Sequence, residues 1–218
     1  MKIIITENQL KTLIKSDLEE EYPESWNVED FKKIKSFAGR VKYCEEKLQR
    51  ISSGSSRIVY KIDDEKVLKL AKNQKGIAQN ETEIGFSNDY MWDGLIAEIF
   101  EYDENGLWVE MELARKLSTK QFQSIVGISF EDYCEGLRYY EYTLKPSKYF
   151  RRSKPEKYDE MWENEFTNEI LQLIGTYDLP VGDMCRTSTY GIVKRDGGDS
   201  IVFIDYGLTN EVYSSYYK

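Results

Sequence analysis

Hydrophobic and polar positions follow three different rhythms along this chain of 218 residues, and the changes divide it into segments 1–48, 49–114 and 115–218. In the first, Met1 to Ile5 reads as a short strand. Thr6 and Gln9 then have the spacing of a capping box, with Thr6 as N-cap. Leu10, Leu13 and Ile14 recur at helical spacing until the acidic run from Asp17 to Glu21 and Pro23 ends the stripe. A second helix is expected from Asn27, with Trp26 and Phe31 flanking its cap. Phe31, Ile34, Ala38, Val41 and Leu48 carry its apolar face to about residue 48. The segment reads as an N-terminal helical extension, either a structural appendage or an element that docks a partner.

From Leu48 the apolar period shortens towards two. Ile58 to Ile62 and Lys66 to Ala71 are expected strands of a hairpin turned at Asp63-Asp64-Glu65. A helix over about residues 76–91 follows. Leu95 to Phe100 and Leu107 to Glu112 then form a second strand pair across Asp103-Glu104-Asn105-Gly106. The order is strand, strand, helix, strand, strand.

Residues 118–175 return to helical spacing. One stripe is Phe130, Tyr133, Cys134, Leu137, Tyr140 and Leu144; another is Trp162, Phe166, Ile170, Leu173 and Ile174. Between them Lys145 to Lys157 holds six basic residues with Tyr149 and Phe150, a solvated loop or a docking surface for phosphate, acidic peptide or nucleic acid. A short hairpin through Ile192-Val193 turns at Asp196-Gly197-Gly198. The strand Ser200 to Ile204, mostly β-branched, then delivers Asp205-Tyr206-Gly207 at its end.

Composition narrows the chemistry. With 32% charged and 40% hydrophobic residues the chain is globular and large enough for one sizeable domain or two small lobes. No apolar run is long enough to span a bilayer, and the apolar start is too short for a secretory signal. Cys44, Cys134 and Cys185 are widely spaced, which suits reduced thiols in a cytoplasmic compartment. A net charge of −9 argues against nucleic-acid binding by the whole protein. There is no histidine, so serine–histidine and cysteine–histidine pairs and histidine-ligated zinc are excluded. Catalysis here must use carboxylates, lysine or a metal ion.

Several residues have the types that phosphate chemistry needs. Gly54 sits among Ser53, Ser55 and Ser56, small residues whose backbone N–H groups can approach a polyphosphate, and Arg57 adds a charge beside them. Lys69 ends an apolar strand and needs an acidic partner. The next helix offers Glu81 and Glu83, of which Glu81 is expected to face it, with Ile77 and Ile84 packing inward. Asp205 is an oxygen ligand for a hard cation, held by a strand and followed by a glycine that permits a sharp turn.

The ordered set Gly54, Lys69, Glu81, Met111-Glu112, Asp183 and Asp205-Tyr206-Gly207 resembles the protein-kinase-like superfamily over about residues 48–210. Ser-Gly-Ser-Ser-Arg at 53–57, Lys-Gly-Ile-Ala-Gln-Asn-Glu at 75–81, Ile-Asp-Tyr-Gly-Leu-Thr at 204–209 and the opening Met-Lys-Ile-Ile-Ile-Thr-Glu-Asn-Gln-Leu are similar to a small phage and bacterial branch. The resemblance implies an α+β, two-lobed kinase-like fold: an N-terminal lobe at 49–114, a reduced, mainly helical C-terminal lobe at 115–218, and the helical extension in front. It implies ATP and Mg²⁺ as cofactors. Gly54 and its serines would cover the phosphates, and Lys69 paired with Glu81 would orient them. Met111 and Glu112 would form the hinge that meets adenine. Asp183 would act on the acceptor, and Asp205 with Ser188 would hold metal.

This chain departs from the pattern in several places. Ser52 and Arg57 stand where the other two loop glycines would be, and Val181-Gly182 precedes Asp183. Ser188 stands where the family has an asparagine, and only Leu208 to Lys218 follow Gly207. The resemblance therefore implies phosphoryl or nucleotidyl transfer to a protein or small molecule in the cytoplasm, the host's if the chain is phage-encoded. The alternatives are an inert pseudokinase acting as an interaction module, or a phage structural protein.

Overall fold

The computed structural model describes residues 22, 23, 25–146, 148 and 151–217. The expected strand at 1–5, the capped helix after Thr6, and Tyr149 and Phe150 of the basic loop lie outside the described residues. The chain falls into two compact units, Met1–Gln49 and Arg50–Lys218.

In the first unit two helices replace the single one expected. Helix α1 (Val28–Lys33) is capped by Asn27, whose side chain accepts the Asp30 N–H at 3.0 Å. Ile34 is extended, and Ser36 starts α2 (Phe37–Lys47) by accepting the Gly39 N–H at 3.1 Å. The second cap resets the helical phase, so Cys44 is buried and Ala38 is exposed. Trp26 and Phe31 pack as a staple with ring centroids 5.0 Å apart, and Tyr43 joins them.

The second unit begins with a sheet of β1 (Gln49–Ser53), β2 (Arg57–Lys61), β3 (Lys66–Ala71), β4 (Ile99–Tyr102) and β5 (Trp108–Glu112), in the order β1-β2-β3-β5-β4. Asp63 turns β2 into β3, its carboxylate accepting the Glu65 and Lys66 N–H groups, each at 2.7 Å. Central β3 is buried at all six positions. Pairing places Val59 beside Lys69 and Val67 beside Met111, so these four side chains share one face. Helix α3 (Gln74–Ser87) follows β3 and packs on the sheet. Leu95 to Phe100 does not form one strand as expected. Leu95 and Ala97 instead exchange backbone hydrogen bonds with Phe203, and β4 starts only at Ile99.

The rest of the unit is β6 (Arg115–Lys116), α4 (Thr119–Val126), α5 (Phe130–Leu144), α6 (Tyr158–Glu163), α7 (Glu165–Tyr177), α8 (Val181–Met184), β7 (Tyr190–Arg195), β8 (Gly198–Phe203) and α9 (Asn210–Tyr216). Strands β6, β7 and β8 make a three-stranded sheet. The β7–β8 turn is Asp196-Gly197, both with positive φ, the conformation that suits a tight hairpin and favours glycine. Tyr133, Leu137, Ile170, Leu173 and Phe203 belong to one buried core that also includes Val67, Val109 and Met111 of the first sheet. The architecture is two-lobed α+β, the fold class implied by the resemblance. After Gly207 the chain folds back as α9 against α3. No helix among the described residues is long and apolar enough to cross a membrane.

The three cysteines are free thiols, and burial pushes that of Cys44 up to about 12. In the basic loop Lys145, Lys154 and Lys157 are paired with Asp178, Asp159 and Asp132 at 2.6–2.7 Å. Much of its charge is therefore already balanced within the fold.

Candidate functional site

A cavity of about 600 Å³ opens between the first sheet and the segments that carry Asp183 and Asp205. Val59, Val67, Met111, Leu113 and Ile204 give it apolar walls, and Lys69, Arg57, Asp183, Asp205 and Ser188 give it charge and polarity. Its volume is in the range of small-molecule and cofactor sites.

The polar part is a cluster of four charges. Lys69 Nζ donates to the two carboxylate oxygens of Glu83 at 3.0 and 3.1 Å and to the Ile204 carbonyl at 2.6 Å. Arg57 reaches Glu83 at 2.9 Å, Asp205 at 2.5 Å and the Asn80 side-chain oxygen at 3.3 Å. Glu83 is fully buried, and Lys69 and Arg57 nearly so. The Asp205 side chain is 59% exposed, so one side of its carboxylate still faces open space. Burial pushes the Lys69 ammonium below the ordinary lysine range, against the upward pull of Glu83. For Arg57 burial acts in the same direction, but Glu83 and Asp205 together raise it.

Glu83, not Glu81, is thus the partner of Lys69. The buried face of α3 is Gly76, Gln79, Asn80, Glu83 and Phe86, whereas Glu81 is exposed and Ile77 and Ile84 are only half-buried. A mostly polar face points inward because each group finds a partner there. Gln79 accepts the Ser56 hydroxyl at 2.7 Å, and Asn80 donates to the Gly106 carbonyl at 2.8 Å.

The serine-rich turn joins β1 to β2 and is closed by a hydrogen bond from the Gly54 N–H to the Arg57 carbonyl at 2.9 Å. Gly54, Ser55 and Ser56 line the cavity, while Ser53 lies at the exposed end of β1 outside the lining. Ser56 has committed its hydroxyl to Gln79. Lys72 donates to the Gly54 carbonyl and Asn73 to that of Ser55, which ties the turn to the start of α3.

Met111 to Ala114, at the end of β5, line the cavity. The Glu112 carboxylate is held by both terminal nitrogens of Arg195, and the Glu112 and Leu113 N–H groups donate to the Glu98 and Glu65 carbonyls at 2.8 and 2.6 Å, so what this stretch can offer a ligand is its remaining backbone groups. Asp183 sits on the short α8 and pairs with Arg186 at 3.2 Å. Its carbonyl accepts the Thr189 hydroxyl at 2.7 Å, and Tyr190, bonded to Tyr133 at 2.6 Å, reaches Met184. Ser188 is the exposed residue of the one-turn helix that follows, and it lines the cavity.

Asp205 follows β8 through Ile204. Tyr206 is fully buried, with its ring beside Phe86 and Phe203 and its hydroxyl donating to the Ala97 carbonyl at 3.1 Å. Gly207 is not in the left-handed region. Glycine is required there because a Cβ would lie 2.4 Å from the Gln79 carbonyl oxygen of α3. Tyr217 completes the wall, its hydroxyl accepting from Gln79 at 3.2 Å and its ring beneath the Lys75 ammonium.

The residues expected to take a divalent cation are partly committed within the chain. Among the described residues no three carboxylate, cysteine or histidine groups converge. The carboxylate expected to take the metal, Asp205, is held by the Arg57 guanidinium, and Ser188 offers only a hydroxyl.

Fold and site together define a two-lobed α+β protein with a charged, apolar-walled cleft. No protein-family model and no curated protein sequence matches the chain. Among solved structures it is similar to the streptomycin–ATP–APH(2″)-IIa ternary complex, at 13% identity over 80% of this chain and 72% of that one, with a TM-score of 0.34. It is also similar to ADP-bound aminoglycoside phosphotransferase APH(2″)-Ib, at 12% identity over 80% and 71%, TM-score 0.37. The GDP and kanamycin complex of APH(2″)-IIIa is similar at 12% identity over 73% and 66%, TM-score 0.33.

Proposed function

We propose that the cleft binds a nucleoside triphosphate such as ATP and that the chain is a kinase-like phosphotransferase. The observation that carries this reading is the pairing of Lys69 with Glu83 on the same sheet face as Val59, Val67 and Met111. That arrangement sets a fixed ammonium beside an apolar face of the cavity on which a base can lie. The base lies between Val59, Val67 and Met111 and meets the backbone of residues 111–114. The phosphates lie under the Gly54 turn and against Lys69. Asp183 faces the acceptor: its hydroxyl oxygen attacks the terminal phosphorus, the bond to the bridging oxygen breaks, the nucleoside diphosphate leaves, and Asp183 takes the hydroxyl proton. The acceptor is a protein or a small molecule carrying such a hydroxyl.

A second reading, a catalytically inert module that binds partners, draws on two ion pairs. Arg57 holds Asp205 and Arg186 holds Asp183, so both carboxylates already have cations. The test is twofold. A ligand that binds only the native state raises the melting temperature by mass action, so ATP should raise that of the wild-type chain and not that of Lys69→Met. Transfer of label from γ-labelled ATP, lost in Asp183→Ala, supports the enzyme. A melt that shifts without any transfer supports the inert module, and no shift at millimolar ATP overturns the nucleotide site.

A further inference from the structure

The cation that meets Asp205 in this fold is part of the chain. Arg57 follows the serine-rich turn as the first residue of β2, and its partner across the ladder is Ala71. Because Val59 pairs with Lys69 and strand side chains alternate, Arg57, two residues earlier, lies on the same face as Lys69. The residue is 7% exposed yet lines the cavity. One terminal nitrogen serves Glu83 and Asn80, and the other serves Asp205. Guanidinium carries five N–H donors in a planar fork, so these three contacts leave donors for oxygens arriving from the cavity.

The charges of the cluster bear on whether a metal is needed here. Lys69 and Arg57 balance Glu83 and Asp205, two against two, so the closed cluster is neutral. A divalent cation placed on the open side of Asp205 would lie beside two positive groups, with the two carboxylates of the cluster already offset by them. A polyphosphate brings its own negative charge and suits the same cluster without rearrangement. The guanidinium fork matches phosphate oxygens in geometry as well as charge.

We propose that Arg57 does in this pocket what a bound divalent ion would do, bridging the Asp205 carboxylate and the phosphates of the nucleotide, so that nucleotide binding needs no metal. This rests on the reading of the cleft as a nucleotide site. It assigns Arg57 as a ligand-binding residue and Asp205 as the group that positions it, rather than as a metal ligand.

The experiment is calorimetric titration of ATP into the full chain, once with excess EDTA and once with excess Mg²⁺, for the wild type and Arg57→Gln. The wild type should bind at least as tightly in EDTA as in Mg²⁺, to within a factor of about two. Arg57→Gln should lose tenfold or more in EDTA and recover part of the loss in Mg²⁺, because Asp205 is then free to take the ion. Wild-type affinity that falls tenfold or more on removal of metal overturns the proposal while leaving the nucleotide site intact. Arg57→Gln binding like wild type in EDTA also overturns it. No ATP binding by the wild type in either buffer overturns the nucleotide reading and this inference with it. The two wild-type titrations decide the matter even if Arg57→Gln does not fold.

Discussion

The Lys69 ammonium lies 3.0 Å from the Glu83 carboxylate, and the same carboxylate accepts from Arg57 at 2.9 Å. One fully buried anion therefore holds two buried cations, drawn from two adjacent strands, against a single helix. Removing it would leave both cations without their common partner in a dry environment.

That relationship separates two glutamates two positions apart. Glu83→Ala should destabilise the fold by about 3–5 kcal/mol, the usual penalty for breaking a buried ion pair from one side. Glu81→Ala, on the exposed side of α3, should change stability by less than about 0.5 kcal/mol. Urea denaturation followed by circular dichroism measures both. Equal losses, or a larger loss at Glu81, would contradict the assigned pairing.

Two glycines at the site should respond differently to one methyl group. Gly207→Ala drives a Cβ against the Gln79 carbonyl and should be destabilising by about 1–3 kcal/mol, as for overpacked sites. Gly54→Ala meets open space at a backbone conformation that alanine can adopt, so its stability should be unchanged or about 0.4–1 kcal/mol higher. Thermal melts of the two variants compare them directly. A stable Gly207→Ala would show that the chain after Asp205 does not pack on α3 as closely as described.

The depressed Lys69 titration gives a pH dependence whose sign can be stated. An anionic ligand favours the charged ammonium, which exists below its pKa. ATP affinity should therefore fall as pH rises through a value below the ordinary lysine range. The folding term has the opposite slope. Between the depressed and the ordinary value the unfolded chain binds more protons than the native one, so stability from this group rises with pH in that window. Calorimetry from neutral to alkaline pH, with Lys69→Arg alongside, tests the binding term. The arginine variant should lose the decline, because its side chain stays charged throughout.

Much of the fold is legible because its signals are local. Asp196-Gly197 announces a hairpin by its turn chemistry, and Ile201 to Phe203 announce a buried strand by composition. Lys69 stands out as a charged group in a run of apolar strand residues. Glu83 does not stand out, because an apolar stripe is the usual guide to a helix's inward face and α3 buries a polar one. The partners of that polar face, Ser56 for Gln79, Gly106 for Asn80 and Arg57 for Glu83, lie outside the helix, and only the assembled sheet brings them together. Phe86, three residues on, is the one apolar marker of that face and points to Glu83. The break at Ile34 escaped for a different reason. Asn27 and Ser36 are both good caps nine residues apart, and the apolar spacing alone does not say that each starts its own helix. Arg57 was visible as a charge in the turn. Its bond to Asp205, 148 positions later, was not.

The most direct measurement is amide hydrogen exchange of the full chain with and without ATP. Exchange reports the local opening of each backbone hydrogen bond, so it shows where a ligand is held as well as whether it binds. ATP should slow exchange in three separate stretches: the serine-rich turn around Gly54 to Arg57, residues 111–114 at the end of β5, and the segment from Asp183 to Thr189. Protection confined to other surfaces, or no ATP-dependent protection at all, would contradict the assignment of this cleft as the nucleotide site.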